Sequence, residues 1–220
     1  MKKVGKTKPL ILIGGGGHAS VLADILLEQG REILAVFSPD KITARPVFEG
    51  IPHLTNDEDI DAFRPESVRL VNGVGKLPGS KLRENIREYF RKLGYQFESV
   101  VDNSAKVSKY AHLEEGVQVL GSAIVQTGAR VGVDSIVNSG AIIEHDCLIG
   151  ANNHIAPGAT LCGQVVTGRD VFIGAAAVVL PGISVQTGSV IGAGSIATLD
   201  MRANAILYPP RSTNNSSSEY

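Results

Sequence analysis

From Val107 onward, stepping six residues at a time lands almost without exception on an aliphatic residue. The column reads Val107, Leu113, Val119, Val125, Val131, Val137, Ile143, Ile149, Ile155 and Leu161, then Ile173, Val179, Val185 and Ile191, and only Thr167 and Ala197 interrupt it. A second column two residues earlier is small, with Ala105, Ala111, Ala123, Ala129, Ser135, Ala141, Cys147, Ala159, Ala177, Ser189 and Ser195. Glycine often follows the aliphatic position, as at Gly132, Gly150, Gly168, Gly174 and Gly192. A helix repeats every 3.6 residues and a strand every 2, so neither produces this pattern. A fixed period sustained from Val107 to Ala197 indicates a solenoid. Each unit is then one short strand and one turn, its aliphatic residue inward, its small residue in the corner, and glycine where φ must be positive. Three units, about eighteen residues, close a triangular coil, and coils stack at the inter-strand spacing of roughly 4.8 Å. A β-sandwich would show turn signals every eight to twelve residues, and none are there.

The stretch before the repeat alternates strands and helices. Leu10–Ile13 is a buried-strand run, followed by four glycines and a helix from about His18 to Gln29 that stops at Gly30. Ile33–Phe37 and Val68–Val71 read as further strands. Thr55 and Glu58 form a capping box for a short helix, and a longer helix runs from about Ser80 to Leu93. A last strand, Tyr95–Val101, leads through Asp102-Asn103-Ser104 into the repeat. That order implies a parallel sheet with ligands beyond the strand C-termini. The expected division is 1–103, an α/β half-Rossmann domain, and 104–220, the β-helix with a C-terminal cap at Tyr208-Pro209-Pro210-Arg211.

Charge narrows the partners. Formal net charge is −1 with no long basic run, which argues against nucleic acid and a membrane surface. The apolar run Leu10–Ile13 is too short for a signal peptide or a spanning helix. Both cysteines, Cys147 and Cys162, fall inside the repeat, and nothing suggests disulfides, so a reducing cytoplasm is expected.

The glycine loop fits G-x-G-x-x-[GA] as Gly14, Gly16 and Ala19, between a strand and a helix, where backbone N–H groups and a helix N-terminus can face a phosphate. The unit is too short for two mononucleotide-binding halves, and Ser38-Pro39 stands where a dinucleotide site wants an acid, with Asp40 two residues later. A single nucleotide, such as the UDP of a nucleotide-sugar, suits it better; a glycine turn that binds nothing is the alternative.

Chemistry concentrates in the repeat at Asn138, Glu144, His145, Asp146 and His154. His145, two residues past the inward Ile143, sits at an outward turn between two carboxylates, either of which could fix its tautomer and raise its basicity. Gly163 lies eighteen residues on and stacks one coil above it. A base below a free backbone N–H suits acyl transfer, since the tetrahedral oxyanion needs a donor near the nucleophile.

Glycine loop, half-Rossmann unit and hexapeptide repeat with Asn138-x6-His145-Asp146-x7-His154-x8-Gly163 resemble the left-handed β-helix acyltransferases, in particular the trimeric UDP-4-amino-sugar N-acetyltransferases of bacillosamine and pilin-glycan biosynthesis and their sialic acid O-acetyltransferase relatives. The resemblance implies acetyl-CoA as co-substrate, no metal, and a homotrimer with active sites at subunit interfaces. It implies His145 as general base supported by Asp146, with Asn138 in the same motif. His154 and the Gly163 amide would contact the acetyl group, and Ala175 and Ala193 would line the pantetheine path. Gly15, Gly17, His18, Asp40 and Lys41 would bind the UDP-sugar, although Ser38-Pro39 replaces an acidic pair of the relatives. For Arg202 and Arg211 a solvated surface arginine is the preferred reading, with contact to the CoA 3′-phosphate the alternative. Three other readings stay open: O-acetylation of a sialic acid or another sugar hydroxyl, a trimeric β-helix metalloenzyme, and a non-catalytic scaffold.

Overall fold

The computed structural model describes residues 7–42 and 44–209, with backbone alone at 57 and 58. Arg211 and the rest of the tail, like the first six residues, lie outside the described residues.

Four parallel strands form the first sheet: β1 (Leu10–Ile13), β2 (Ile33–Phe37), β3 (His53–Leu54) and β4 (Arg69–Asn72), in the order β3-β2-β1-β4. Alternation along β1 divides its neighbours. Leu10 and Leu12 pack with α1 (Gly17–Glu28), and Ile11 and Ile13 pack with Phe90 of α2 (Leu82–Lys92) and with Ile60. The short helix at Asp57–Ala62 is 3₁₀, and its capping box is Asn56 with Asp59, one residue on from the expected pair. The expected strand Tyr95–Val101 does not form as one piece. Phe97 makes a single bridge to Leu70, whereas Val100–Val101 pairs with Gln118–Val119 and is already part of the solenoid.

The second part is the left-handed parallel β-helix. Two-residue strands recur every six residues and pair with strands eighteen residues away, as Ile136–Val137 does with His154–Ile155. Three flat faces result. Face 1 has seven strands from Val100–Val101 to Ile206–Leu207, face 2 has six from Lys106–Val107 to Ile196–Ala197, and face 3 has five from His112–Leu113 to Ser184–Val185. The aliphatic column forms the core, and Ala123, Ala141, Cys147 and Ala159 fill its corners with no exposed surface. Thr167 breaks the column without leaving a polar group stranded. Its hydroxyl accepts from the buried Asn153 side chain and from the Gly150 N–H.

The glycines correct one expectation. Those after the aliphatic residue do not have positive φ; a Cβ on Gly150 would stand 2.3 Å from the Gly168 carbonyl oxygen of the next coil, so close stacking requires glycine there. The left-handed residue sits three places after the aliphatic one, at Gly128 and Gly140 but also at Asp146 (φ 59°).

Helix α1 is apolar on two sides because it lies between the sheet and the solenoid. Leu22, Ala23 and Leu26 share one cluster with Leu10, Leu12 and Val71 and with Val100, Leu120 and Ile136 of the solenoid. Outward positions on the lower coils of face 1 are thus buried. Ion pairs add to the junction at Arg87–Asp134 (2.7 Å) and Lys76–Asp170 (3.0 Å). Among the described residues no helix is long and apolar enough to cross a membrane.

Candidate active site

A cleft of about 930 Å³ opens beyond the C-terminal ends of β1 and β4, where the strand order reverses. Gly14–Gly17 form its floor. Gly14 makes the turn at φ +105°, and Gly16 is the N-cap of α1 without a side-chain acceptor, so the first-turn N–H groups have no partner from a cap. The Gly15 and Gly17 positions differ. A Cβ on Gly15 would press on Ile42 at 2.5 Å, whereas at Gly17 the nearest atom is the Arg45 guanidinium at 3.9 Å. Phe37, Ser38, Pro39 and Asp40 close one end, and Leu120, Asn138 and His154 of the solenoid close the other. Asp40 and Lys41 are exposed, and only Asp40 lines the cleft.

At the solenoid end the histidines are held. His154 Nδ1 donates to the Lys76 carbonyl (3.0 Å), which leaves Nε2 to accept from the Asn138 amide nitrogen (3.1 Å). Burial, with Arg83 and Lys76 nearby, lowers the His154 pKa, in keeping with a neutral ring. His18 bonds the Gln118 side chain at 2.7 Å, and burial, then the charge of Arg83, lowers its pKa to about 4.

His145 stands elsewhere. Asn138 lies on the edge between faces 1 and 2, and His145 on the edge between faces 2 and 3, across the strand Ile142–Ile143. Six residues of strand span at most about 20 Å. On its own edge the geometry is specific: Nδ1 lies 2.9 Å from Asp146 Oδ2, so with Nδ1–H as donor the Nε2 lone pair is free. Nε2 comes against the α-carbon of Gly163, one coil above, where a Cβ would be 2.6 Å away. Asp146 Oδ1 in turn stands 2.3 Å from a Cβ position on Gly128, one coil below. Among the described residues the Gly163 N–H has no acceptor. Cys162 is partly exposed beside it, while Cys147 is buried, its thiol pushed up to about 11 by burial. Ala175 and Ala193 stack, exposed, on the other edge, above Asn138. The edge holding Asn138, Ala175 and Ala193 therefore continues the cleft upward, and His145 with Gly163 forms a second locus. Exposed apolar side chains surround that second locus: Leu148, Val166, Leu180 and Ile196.

Residues 9–90 match the family described as the PglD N-terminal domain, and residues 140–166 and 164–198 match the hexapeptide repeat of succinyl-transferase. The chain thus carries a PglD-type N-terminal domain followed by hexapeptide repeats of the acyltransferase kind. PerB from Caulobacter crescentus, solved in complex with CoA and GDP-perosamine, is similar to this acyltransferase over 91% of this chain and 94% of its own, at 29% identity and a TM-score of 0.82. The acetyltransferase domain of PglB from Neisseria gonorrhoeae FA1090, solved with acetyl coenzyme A, is similar over 92% and 97% at 27% identity and a TM-score of 0.84. Among curated relatives, the bifunctional protein GlmU of Bartonella bacilliformis is 28% identical over 171 residues, 68% of this chain and 38% of its own. A 2,3,4,5-tetrahydropyridine-2,6-dicarboxylate N-succinyltransferase of Paramagnetospirillum magneticum is 36% identical over 98 residues, 41% of this chain and 35% of its own. The chain thus spans little more than a third of the length of these curated relatives.

Several residues in or beside this acyltransferase's cleft escape sequence reading. Lys76 follows β4, and its backbone carbonyl fixes the His154 tautomer. Gln118 looks like an ordinary outward repeat position, yet it is fully buried against His18. Arg45 bonds Ser20 Oγ at 3.1 Å beside the glycine loop. Only long-range packing brings these three to the site.

Proposed function

We propose that this acyltransferase carries an acetyl group from acetyl-CoA to the 4-amino group of a nucleotide-linked 4-amino-4,6-dideoxy sugar, in the making of a bacterial glycan. The observation that carries the reading is the His145 imidazole, held by Asp146 through one nitrogen and directed at Gly163 through the other. Similarity to PerB, solved with CoA and GDP-perosamine, and to the PglB domain, solved with acetyl coenzyme A, supports donor and acceptor class. A variant of the Caulobacter enzyme with one histidine replaced by alanine has been solved in the same complex, which supports interest in a histidine there.

In this mechanism the free amine attacks the thioester carbonyl, and His145 Nε2 takes the proton that the nitrogen sheds. The tetrahedral oxyanion accepts from the Gly163 N–H. Collapse expels the CoA thiolate, which receives the proton from the imidazolium. A general base of this kind is worth about 10²–10⁴-fold, and positioning two bound substrates supplies much of the rest. Cys147, buried with its thiol pKa pushed up, is unsuited to a covalent acyl-enzyme.

The assembly we propose is a homotrimer, one copy lending His145 and Gly163 to the cleft of the next. Two observations support it: the loci occupy different edges of one prism, and apolar side chains are exposed around His145. The free thiols of Cys147 and Cys162 suit a reducing cytoplasm.

UDP is the nucleotide proposed, and GDP is the second reading because PerB was solved with GDP-perosamine. The test is thiol release from acetyl-CoA with UDP- and GDP-linked 4-amino sugars and with sialic acids. Release with a 4-amino sugar alone is expected; release with sialic acid alone would replace the amine acceptor by a hydroxyl.

A further inference from the structure

Gln118 bridges three separate parts of the chain. It belongs to the solenoid strand Gln118–Val119, its Nε2 lies 2.8 Å from the Asn72 carbonyl oxygen at the end of β4, and its Oε1 lies 2.7 Å from His18 Nε2 in the first turn of α1. The polarity of this chain of bonds is fixed at one end. A carbonyl oxygen only accepts, so the Gln118 amide must turn its NH₂ toward Asn72 and its oxygen toward His18. An amide oxygen also only accepts, so His18 Nε2 must carry the hydrogen. Arg83 Nη1 donates to the same Asn72 carbonyl at 2.9 Å, so both of that oxygen's lone pairs are engaged and it cannot be reorganised cheaply. Asn72, Arg83 and Gln118 are all at least nine-tenths buried.

A neutral imidazole with a hydrogen on Nε2 has a bare lone pair on Nδ1. The depressed His18 pKa is consistent with a neutral ring, and among the described residues Nδ1 has no partner. His18 lines the cleft. Its place there follows from the solenoid register: Gln118, Ile136 and His154 stack in consecutive coils, so Gln118, which holds His18, lies two coils, roughly 10 Å, below His154 on the same face. It therefore faces the end of the cleft next to Asn138 and His154, away from the Phe37–Asp40 end.

We propose that Gln118 is a positioning residue that holds His18 as the Nε2–H tautomer, and that His18 Nδ1 thereby accepts a hydrogen bond from a hydroxyl or amino group on the glycosyl part of the ligand. A phosphate oxygen, which carries no hydrogen at neutral pH, is refused at that position. The diphosphate is left to the N–H groups of the glycine loop, and the two subsites are separated by the sign of their hydrogen bonds. This rests on the nucleotide-sugar reading given above.

Two measurements test it. Protein labelled with ¹⁵N in its five histidines is examined at pH 7.5 by long-range ¹H–¹⁵N correlation, His18 being assigned by its loss in His18→Phe. The expected spectrum has His18 Nε2 protonated and Nδ1 bare; a protonated Nδ1 overturns the proposal. In Gln118→Leu, checked for folding, the Nδ1–H form should appear alongside. Calorimetric titration then compares UDP and GDP with UDP- and GDP-linked 4-amino-4,6-dideoxyhexose. His18→Phe should bind the free nucleotides within about twofold of wild type and the glycosylated one about tenfold more weakly, the worth of one hydrogen bond. An equal loss for both would mean a phosphate or nucleoside contact and would overturn the proposal. Wild-type protein that binds none of the four probes would remove the nucleotide-sugar reading and the glycosyl part with it, while the imidazole spectrum still decides whether Gln118 fixes the ring.

Discussion

His145 Nε2 lies 2.6 Å from the point that a Cβ on Gly163 would occupy. No carbon tolerates that approach, so the imidazole keeps its place only because residue 163 has no side chain. Gly163→Ala should fold, because φ at this position is not in the left-handed region, but it should swing His145 away and lower kcat by about two decades, the lower end of a general base's worth. Steady-state thiol release is the check, and an alanine variant with wild-type kcat would remove His145 from the reaction.

Direct replacement bounds the same effect. His145→Ala is expected to lower kcat about 10²–10⁴-fold with KM for acetyl-CoA little changed. Asp146→Asn keeps the shape beside Nδ1, within the 2.9 Å contact, but loses the charge that supports the imidazolium, and should cost less than His145→Ala. If it costs more, Asp146 has a role of its own.

The separation of the two edges makes assembly testable by complementation. His145→Ala and His154→Ala are each expected to be nearly inactive. Refolded together into mixed trimers, roughly a quarter of the sites would pair an intact cleft with an intact His145 if each site is shared by two copies. Mixtures no more active than the separate variants would place the complete site within one chain.

At the glycine loop the structure alters which substitution is informative. Gly17 begins α1, its φ is not positive, and the nearest atom to a new Cβ is 3.9 Å away. Gly17→Ala should therefore keep or slightly raise Tm, because alanine is the better helix former. It should nevertheless weaken nucleotide-sugar binding several-fold by obstructing the approach of phosphate to the first-turn N–H groups. Unchanged calorimetric affinity would leave this loop a structural turn.

A pH prediction follows from His18. Its folded pKa, about 4 against an ordinary 6.5, means that the unfolded chain binds the proton more readily. Its contribution to stability is complete above pH 6.5 and is lost as pH falls from there toward 4, amounting to on the order of 3 kcal/mol. Asp134, raised to about 6 by burial, works in the opposite direction between roughly pH 6 and 4, but equally in a variant of His18. Urea denaturation at pH 7.5 and 4.5 should show wild type losing more stability than His18→Asn. Parallel losses in the two proteins would mean that His18 does not titrate as a buried group.

The solenoid was legible in the sequence because its period is local. Each coil repeats the one below, so a column such as Val137, Ile143 and Ile149 already specifies which residues face inward, and an interval of eighteen places Gly163 above His145. Burial of the column and the corner residues, and the α/β order before it, follow from side-chain type alone. The glycines after the aliphatic residue misled because composition does not separate a glycine needed for φ from one needed for close stacking; at Gly150 only the distance to the next coil does so. Tertiary structure alone decided the rest. Val100–Val101 joined the solenoid instead of the first sheet because its partner, Gln118–Val119, is presented there by the coil above. Gln118 became a buried hydrogen-bonding centre because α1 and β4 happen to pack over that coil, and such packing depends on contacts 46 and 100 residues apart in the chain. The division of Asn138 and His145 between two edges is likewise a matter of coil geometry: seven residues apart in sequence, they are separated by a flat face of the prism.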